Sequence, residues 1–419
     1  MQIAECVVPQ TKGISCKMTT MKGHTIHVLH FLNTFLNLTE NWIYPQITRT
    51  PNTDPRVYCT RVANRALFPL SSQRICVDPP DRWRTFTLAR IFNAIARRMG
   101  DNRGYDYWQL TLRCWRPHVI HAHFGPRGWE SVRLRRSLKI PLITSFYGAD
   151  AWMLPQSEPI WLERYRELFN VGDAFLVEGP AMRERLVQLG CPAGKVRVQR
   201  LGVDLSALPF VPKTISQPLR IVMVGRFTEK KGLANGLRAC LAARLRGVDL
   251  RVTVIGDTTD HDPAGFQIKQ ELLKLAQEPE LSGRVEFTGF LPLEKSRETI
   301  RAHHVFLCPS RHAASGDAEG GSPVALTEAM ALGLICIGTR HCDIPEVIVD
   351  GRTGYLCAEG DVTGMTEVLC RLIQNPSEAM KLTAQGRKHV EEHFSIETQL
   401  QRLSDAYRLL VSKAKSRSL

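Results

Sequence analysis

The sequence predicts an α/β protein built on two open parallel sheets, and three observations carry that prediction. Short β-branched apolar runs alternate with longer segments of helical spacing along the 419 residues, the pattern of parallel strands joined by crossover helices. One stretch without period, DLSALPFVPKTISQP (204–218), carries three prolines and interrupts the alternation near its middle. The alternation then restarts, which sets a second sheet unit after the first.

Each element follows from its own residues. In the first half, HTIHVLHF (24–31), HVIHAHF (118–124), PLITSFYG (141–148), DAFLVEG (173–179) and KVRVQRLGV (195–203) read as strands. SVRLRRSL (131–138) and PAMRERLVQLG (180–190) carry helical spacing, the second closed by Gly190 and Pro192. Beyond the break, LRIVMVG (219–225), DLRVTVIGD (249–257), RVEFTG (284–289), HVFLCPS (304–310) and LICIGT (334–339) are strands. Helices are expected from Gly232 to about 246, near 266–277, 292–302 and 324–332, and from 361 onward. The division that results is an extension at 1–22 without a core of its own, a first lobe at 23–204, a linker at 205–218, a second lobe at 219–394 and a closing helix with a basic tail at 395–419. The start lacks an apolar core of signal-peptide length.

Composition narrows the function classes. An apolar content of 43% with 23% charged residues suits a globular chain large enough to bury its core without staples. The twelve cysteines include no C-x2-C pair, and several sit in apolar runs such as VFLCPS. That scatter predicts reduced thiols in a cytoplasmic compartment, with neither zinc nor disulfides. A net charge of +14 favours a polyanionic partner: nucleic acid, an anionic membrane surface or a phosphorylated small molecule. Thirteen basic and four acidic residues fall between Asp81 and Ile140, so much of the excess lies there. Basic–aromatic interleaving, zinc spacing and recognition modules are lacking, which sets nucleic acid aside.

Four clusters have the residue types that chemistry needs. In VGRFTEKKG (224–232), Arg226 and Lys231 follow a strand and precede a helix, an arrangement suited to a diphosphate; a solvated basic turn is the alternative. In DAEGGSPVALTEAMALG (317–333), Gly320, Gly321 and Ser322 lead into a helix, with Ser322 expected as its cap. Backbone N–H groups of those glycines suit a phosphate, and Glu319 and Glu328 suit hydroxyls of a sugar or ribose. In HVIHAHFGPRG (118–128), His121 and His123 share one strand face without an evident third metal ligand, so His123 reads as a cleft residue and no metal is expected. In SFYGAD (145–150), Tyr147, Gly148 and Asp150 lie just past a strand, either as substrate contacts or as a structural turn.

Taken in order, VGRFTEKKG, RVEFTGFLP, HVFLCPSR and EGGSPVALTEAMALGLICIGTRHCDIPEVIVDGRTGYL resemble the retaining GT-B glycosyltransferases of family 4, over roughly residues 24 to 395. HAHFG and SFYGAD resemble the exopolysaccharide, colanic-acid-type branch. The resemblance implies two Rossmann-like domains facing across a cleft. It implies that Arg226 and Lys231 hold the donor diphosphate, that Glu319 contacts the donor sugar and Glu328 the ribose, and that Gly289, within TGFLP, lies where the base is held. Gly320, Gly321 and Ser322 join the donor-binding set, His123 joins the catalytic one, and Tyr147 and Asp150 fall on the acceptor side. Two departures stand out: Glu319 and Glu328 have eight residues between them where the family has seven, and Tyr147 stands where the family often has His. The donor expected is a UDP- or GDP-sugar, with no further cofactor. The acceptor is a glycan or lipid-linked glycan in cell-surface polysaccharide synthesis, and the protein sits peripherally on the inner membrane face. Arg97, Arg98, Arg133, Arg135 and Arg136 are the candidates to face anionic lipid. A GT-B sugar-nucleotide epimerase is the rival enzyme; it requires catalytic carboxylates in the first lobe, where none is evident.

Overall fold

The computed structural model describes residues 25–77, 115–259 and 261–416. The extension 1–22 and the arginines at 97 and 98 lie outside the described residues.

Two large parallel sheets form, beside a two-stranded ribbon of Thr34–Phe35 with Arg61–Val62. The first has strands β1 (Ile26–Phe31), β2 (Thr53–Cys59), β3 (Ile75–Val77), β4 (Val119–His123), β5 (Leu142–Ser145), β6 (Ala174–Val177) and β7 (Val196–Val198). Their spatial order is β3-β2-β1-β4-β5-β6-β7, every pair parallel. The second has β8 (Leu219–Val224), β9 (Leu250–Ile255), β10 (Val285–Gly289), β11 (Val305–Cys308), β12 (Ile335–Thr339) and β13 (Gly354–Cys357), in the order β10-β9-β8-β11-β12-β13 and again all parallel. Strand order reverses between β1 and β4 and between β8 and β11. Each reversal opens a crevice at the carboxyl ends of the strands.

Strands buried on both faces are near-continuous apolar runs, which is why β4, β11 and β12 are legible from sequence. Three strands are not. Pro55 and the polar residues around it disguise β2; Pro55 is tolerated because β3 pairs β2 only from Val57 to Cys59, beyond the proline. The short β3 and β13 are too brief to show a period. The helix Ile160–Val171 also escapes the sequence reading; it buries Trp161, Tyr165, Leu168 and Phe169 against the first sheet. The helical segment expected from 361 divides at Asn375–Pro376 into Val362–Gln374 and Pro376–His393, and the closing helix expected from 395 runs Ile396–Ser416 after the Phe394–Ser395 break.

The last of these helices returns to the first lobe. Leu403, Tyr407 and Leu410 pack with Ile26, Val28, Val119, Ile143 and Leu176. The crossing is held by backbone bonds between Val203 and the Phe394–Ile396 turn. The nine described cysteines are free, and most are buried. Among the described residues no helix is long and apolar enough to cross a membrane.

The lobes touch through small, specific contacts. The Tyr147 and Gly148 backbone lies against Gly320, so closely that a Cβ on Gly320 would fall 2.2 Å from the Tyr147 carbonyl oxygen. Asp343, from the second lobe, accepts the N–H of Ala181 (2.7 Å) at the start of the first-lobe helix Pro180–Gln188. Arg200 pairs with Glu346 across the same junction.

Candidate active site

The second lobe supplies the charged half of the site. After β8 the chain turns through Arg226 and Lys231 before the helix Leu233–Leu245. Buried Phe227 anchors this turn, its N–H bonded to the Asp257 carbonyl. Gly225 is small because the Lys231 stem lies across it: a Cβ there would meet Lys231 carbons at 3.0 Å. That stem carries Nζ to Glu319 Oε1 at 2.7 Å. Ser310, just past β11, donates to the same oxygen at 3.0 Å, and the Glu319 N–H donates to His341 Nε2 at 3.1 Å. His341 in turn faces Glu359, Nδ1 to Oε1 at 2.7 Å, which sets its tautomer with the proton on Nδ1. Neighbouring Lys230 pairs with Asp317 at 3.0 Å.

Glu319 is therefore fixed on three sides although it is only 8% exposed. Burial alone would raise its pKa; Lys231, Lys230 and His341 outweigh that and hold it below the usual carboxylate range. Its Oε1 takes both side-chain donors. Glu328 repeats the arrangement on the helix Val324–Ala331, where Arg297 donates to Oε1 through Nη2 at 2.6 Å and Nε at 3.1 Å. Burial nevertheless leaves Glu328 above its ordinary value. Arg297 was missed by the sequence reading; its one signal was an arginine on an amphipathic helix following TGFLP, which spacing alone cannot tie to a glutamate 31 residues away.

Arg226 is exposed at the cleft and shares an electrostatic interaction with Glu40 of the first lobe. Gly289 closes β10 at φ +70, its carbonyl accepting from Gly256 at 2.9 Å, with open space where a side chain would stand.

Several expected roles change on the structure. Ser322 does not cap the helix, which begins one residue later, after Pro323, and has no side-chain cap. Gly320 and Gly321 owe their size to the first lobe, because Cβ atoms there would strike the Tyr147 backbone and the Glu178 side chain. Asp150 does not face an acceptor: its carboxylate takes the N–H groups of Gly125 (2.9 Å), Tyr147 (3.1 Å) and Gly148 (2.9 Å), tying the SFYGAD turn to the end of β4. His123 is fully buried beneath Tyr147, with Nδ1 2.8 Å from the Tyr147 hydroxyl, rather than on the cleft wall. Tyr147 is the partly exposed end of that stack.

The third imidazole that sequence could not locate beside His121 and His123 is His30, on the adjacent strand β1. The ring nitrogens of the three lie within 4.8 Å of one another. His30 Nδ1 and His123 Nε2 are hydrogen-bonded at 3.1 Å, while His121 is held separately by Tyr407 at 2.6 Å and Ser145 at 2.8 Å. The rings of His121 and His123 stack with centroids 4.2 Å apart. Burial pushes all three pKa values down, His121 to about 3.

One further carboxyl was missed. Glu178, directly after β6, lies against Gly321 in the junction between the lobes.

Two facing Rossmann-type sheets with paired Lys–Glu and Arg–Glu groups at the second sheet's carboxyl edge define a GT-B glycosyltransferase. The family described as Glycosyltransferase Family 4 matches residues 22–207, and that described as Glycosyl transferases group 1 matches residues 207–389. The chain belongs to this glycosyltransferase family. It is 33% identical over 286 residues to WcaL of Escherichia coli (strain K12), a protein named for colanic acid biosynthesis, covering 67% of this chain and 68% of that one. It is 32% identical over 284 residues to the amylovoran biosynthesis glycosyltransferase AmsK of Erwinia amylovora, covering 66% of each chain. In fold it is similar to Anabaena Alr3699/HepE in complex with UDP and glucose: TM-score 0.69 at 14% identity, over 92% of this chain and 100% of that one. Sucrose-phosphate synthase from Thermosynechococcus elongatus has a TM-score of 0.68 at 17% identity, over the same shares.

Proposed function

We propose that this glycosyltransferase moves a sugar from a nucleoside-diphosphate donor to a glycan or lipid-linked glycan during exopolysaccharide synthesis, with retention at the anomeric carbon. The observation that supports the donor reading most is the Lys231–Glu319 pair. It sets an ammonium for a diphosphate beside a carboxylate for sugar hydroxyls at the switch point of the second sheet. Arg226 adds an exposed guanidinium from the same turn, and Glu328 presents its second oxygen to the ribose. UDP or GDP is the nucleotide; the UDP held by the Anabaena neighbour supports the first. The acceptor class is carried by the relatives named for colanic acid and amylovoran synthesis.

In the reaction the acceptor hydroxyl forms its bond to the anomeric carbon on the face from which the diphosphate departs. The anomeric carbon–oxygen bond breaks, and the hydroxyl proton passes to the leaving phosphate oxygen. Arg226 and Lys231 stabilise the charge that grows on that diphosphate. Tyr147, whose hydroxyl is held from below by His123, borders the acceptor side with its ring. The basic helix Val132–Leu138 supports a peripheral contact with the inner membrane face. Its Arg135 and Arg136 are shared with Asp173 and Glu167, which weakens that contribution.

Thermal denaturation against UDP-, GDP- and ADP-sugars tests the donor reading, because a ligand that binds only the folded state raises the melting temperature. One nucleotide series should stabilise the wild type and leave Arg226→Ala unmoved. Equal stabilisation of Arg226→Ala, or none of the wild type by any of them, rejects the assignment.

A further inference from the structure

Glu178 stands at the carboxyl end of β6, on the first-lobe side of the junction, where open parallel sheets place ligand contacts. It packs onto the loop that carries Glu319: a Cβ built on Gly321 would lie 2.1 Å from Glu178 Oε2. With Ser322, Thr327, Arg200, Asp343 and Glu346 it lines a cavity between the lobes. The cations within reach are already engaged, Arg200 by Glu346 and Lys231 by Glu319. Among the described residues Glu178 itself has neither hydrogen bond nor ion pair. The charged groups that act on it are Asp343, Glu319, Asp150 and Lys231, three of them carboxylates.

A carboxyl in that setting is costly to ionise. Desolvation acts first, the three acidic neighbours add to it, and Lys231 opposes them only in part, so Glu178 is held well above the usual carboxylate range. A diphosphate bound beside Lys231 adds more negative charge to the same region. Protonated, the group both gives and accepts hydrogen bonds; ionised, it can only accept.

We propose that Glu178 is a further donor-contacting residue, which meets the transferring sugar as a neutral carboxylic acid and donates its O–H to a sugar hydroxyl. The proposal rests on the donor site assigned above and adds a sugar contact from the opposite lobe.

The test separates sugar from diphosphate. Wild type, Glu178→Gln and Glu178→Ala are titrated calorimetrically with UDP and GDP, and with whichever UDP- or GDP-hexose raises the melting temperature most. Glu178→Ala should bind the nucleoside diphosphate within about two-fold of wild type but the nucleotide sugar about twenty-fold more weakly; Glu178→Gln, whose amide N–H replaces the O–H, should lose about five-fold. The wild-type kcat/KM should fall at alkaline pH as Glu178 ionises, and Glu178→Gln should lack that fall. The proposal is overturned if Glu178→Ala binds the sugar as wild type does, if the glutamine variant is as weak as the alanine one, or if its alkaline limb is unchanged. Loss of diphosphate binding in step with sugar binding would also overturn it, in favour of a structural role. Lys231→Ala serves as the control: if it keeps full diphosphate affinity, the donor site itself is misassigned. Should Glu178→Ala fail to fold, the pH limb of Glu178→Gln still decides.

Discussion

The two walls of the cleft keep their titratable groups in opposite ways. On the second lobe Glu319 and Glu328 are buried, yet each has a cation within 2.7 Å. On the first lobe His30, His121 and His123 are buried behind the cleft surface, beneath Tyr147, with no counter-ion among the described residues, and Asp150 and Glu178 are raised by desolvation. One lobe pairs its buried carboxylates with cations; the other buries its histidines and Glu178 without such partners. A donor carrying negative phosphates needs fixed positive charge at one place only; a neutral opposite wall lets the lobes close on it without adding unpaired charge to a shrinking, poorly solvated space.

The comparison breaks most sharply if Lys231 is removed. Lys231→Ala leaves Glu319 buried and unpaired beside the diphosphate site. Transfer should fall by about two to three orders of magnitude, and stability should drop by roughly 3–5 kcal/mol, as for breaking one side of a buried pair. Turnover with the donor selected by thermal shift, alongside urea denaturation, measures both. More than a tenth of wild-type turnover would show that the pair is structural only. Glu319→Gln removes the charge conflict, so it should recover the stability without the activity.

Arg297 gives a second, smaller break. Arg297→Ala strands Glu328 and should raise the donor KM about ten-fold with less change in kcat, because on the proposed reading a ribose held by Glu328 is gripped equally before and during transfer. A double-mutant cycle with Glu328→Gln should show coupling of at least about 1 kcal/mol. Additive losses would mean the two side chains serve separate ends.

How much of this was legible follows from range. Arg226, Lys231, Glu319 and Glu328 stand in short contiguous runs after strands, where local pattern alone was enough to single them out as candidates. The fold was legible for the same reason, because doubly buried strands are plain apolar runs. Arg297, His30 and Glu178 were not legible, because each gains its meaning from a partner tens or hundreds of residues away. Asp150 misled for the opposite reason: a turn aspartate that binds its own loop has the same local sequence as one that faces a ligand. The glycines at 320 and 321 did too, since sequence shows that a side chain is missing but not which neighbour fills its place.

The neutral wall predicts acid sensitivity. Folded His30, His121 and His123 titrate below the ordinary histidine value near 6.5, so the unfolded chain binds more protons as pH falls. Their contribution to stability is full above that value and is lost as pH drops through about 6.5 and below. The melting temperature should therefore fall between pH 7 and 5. His30→Gln, though less stable at every pH, should show a shallower fall. Asp343 acts the other way. Its folded value is raised to about 6, so it favours the folded state more as pH falls, and it must be separated by its own variant. Glu178, raised in the same sense, must be removed as well, so a melting temperature flat from pH 7 to 5 in the Asp343→Asn, Glu178→Gln double variant would refute the buried-neutral reading of the histidines.

Asp343 is also the finest test of how the walls are joined. Its carboxylate reaches across the junction to the Ala181 N–H, and its burial against Gly179 raises its pKa. This places a second-lobe carboxylate on the dipole-positive end of a first-lobe helix. Asp343→Ala should cost about 1 kcal/mol, the usual loss of a side-chain cap. Because the cap spans two lobes, part of that loss should appear as domain opening rather than global unfolding. Small-angle scattering should then show a larger radius of gyration for Asp343→Ala than for wild type without ligand, and the two should converge when the donor is bound. If Asp343→Ala destabilises the protein but leaves the unliganded radius unchanged, the contact belongs to folding alone, and the neutral wall is held in place by the Gly148–Gly320 approach and the Arg200–Glu346 pair.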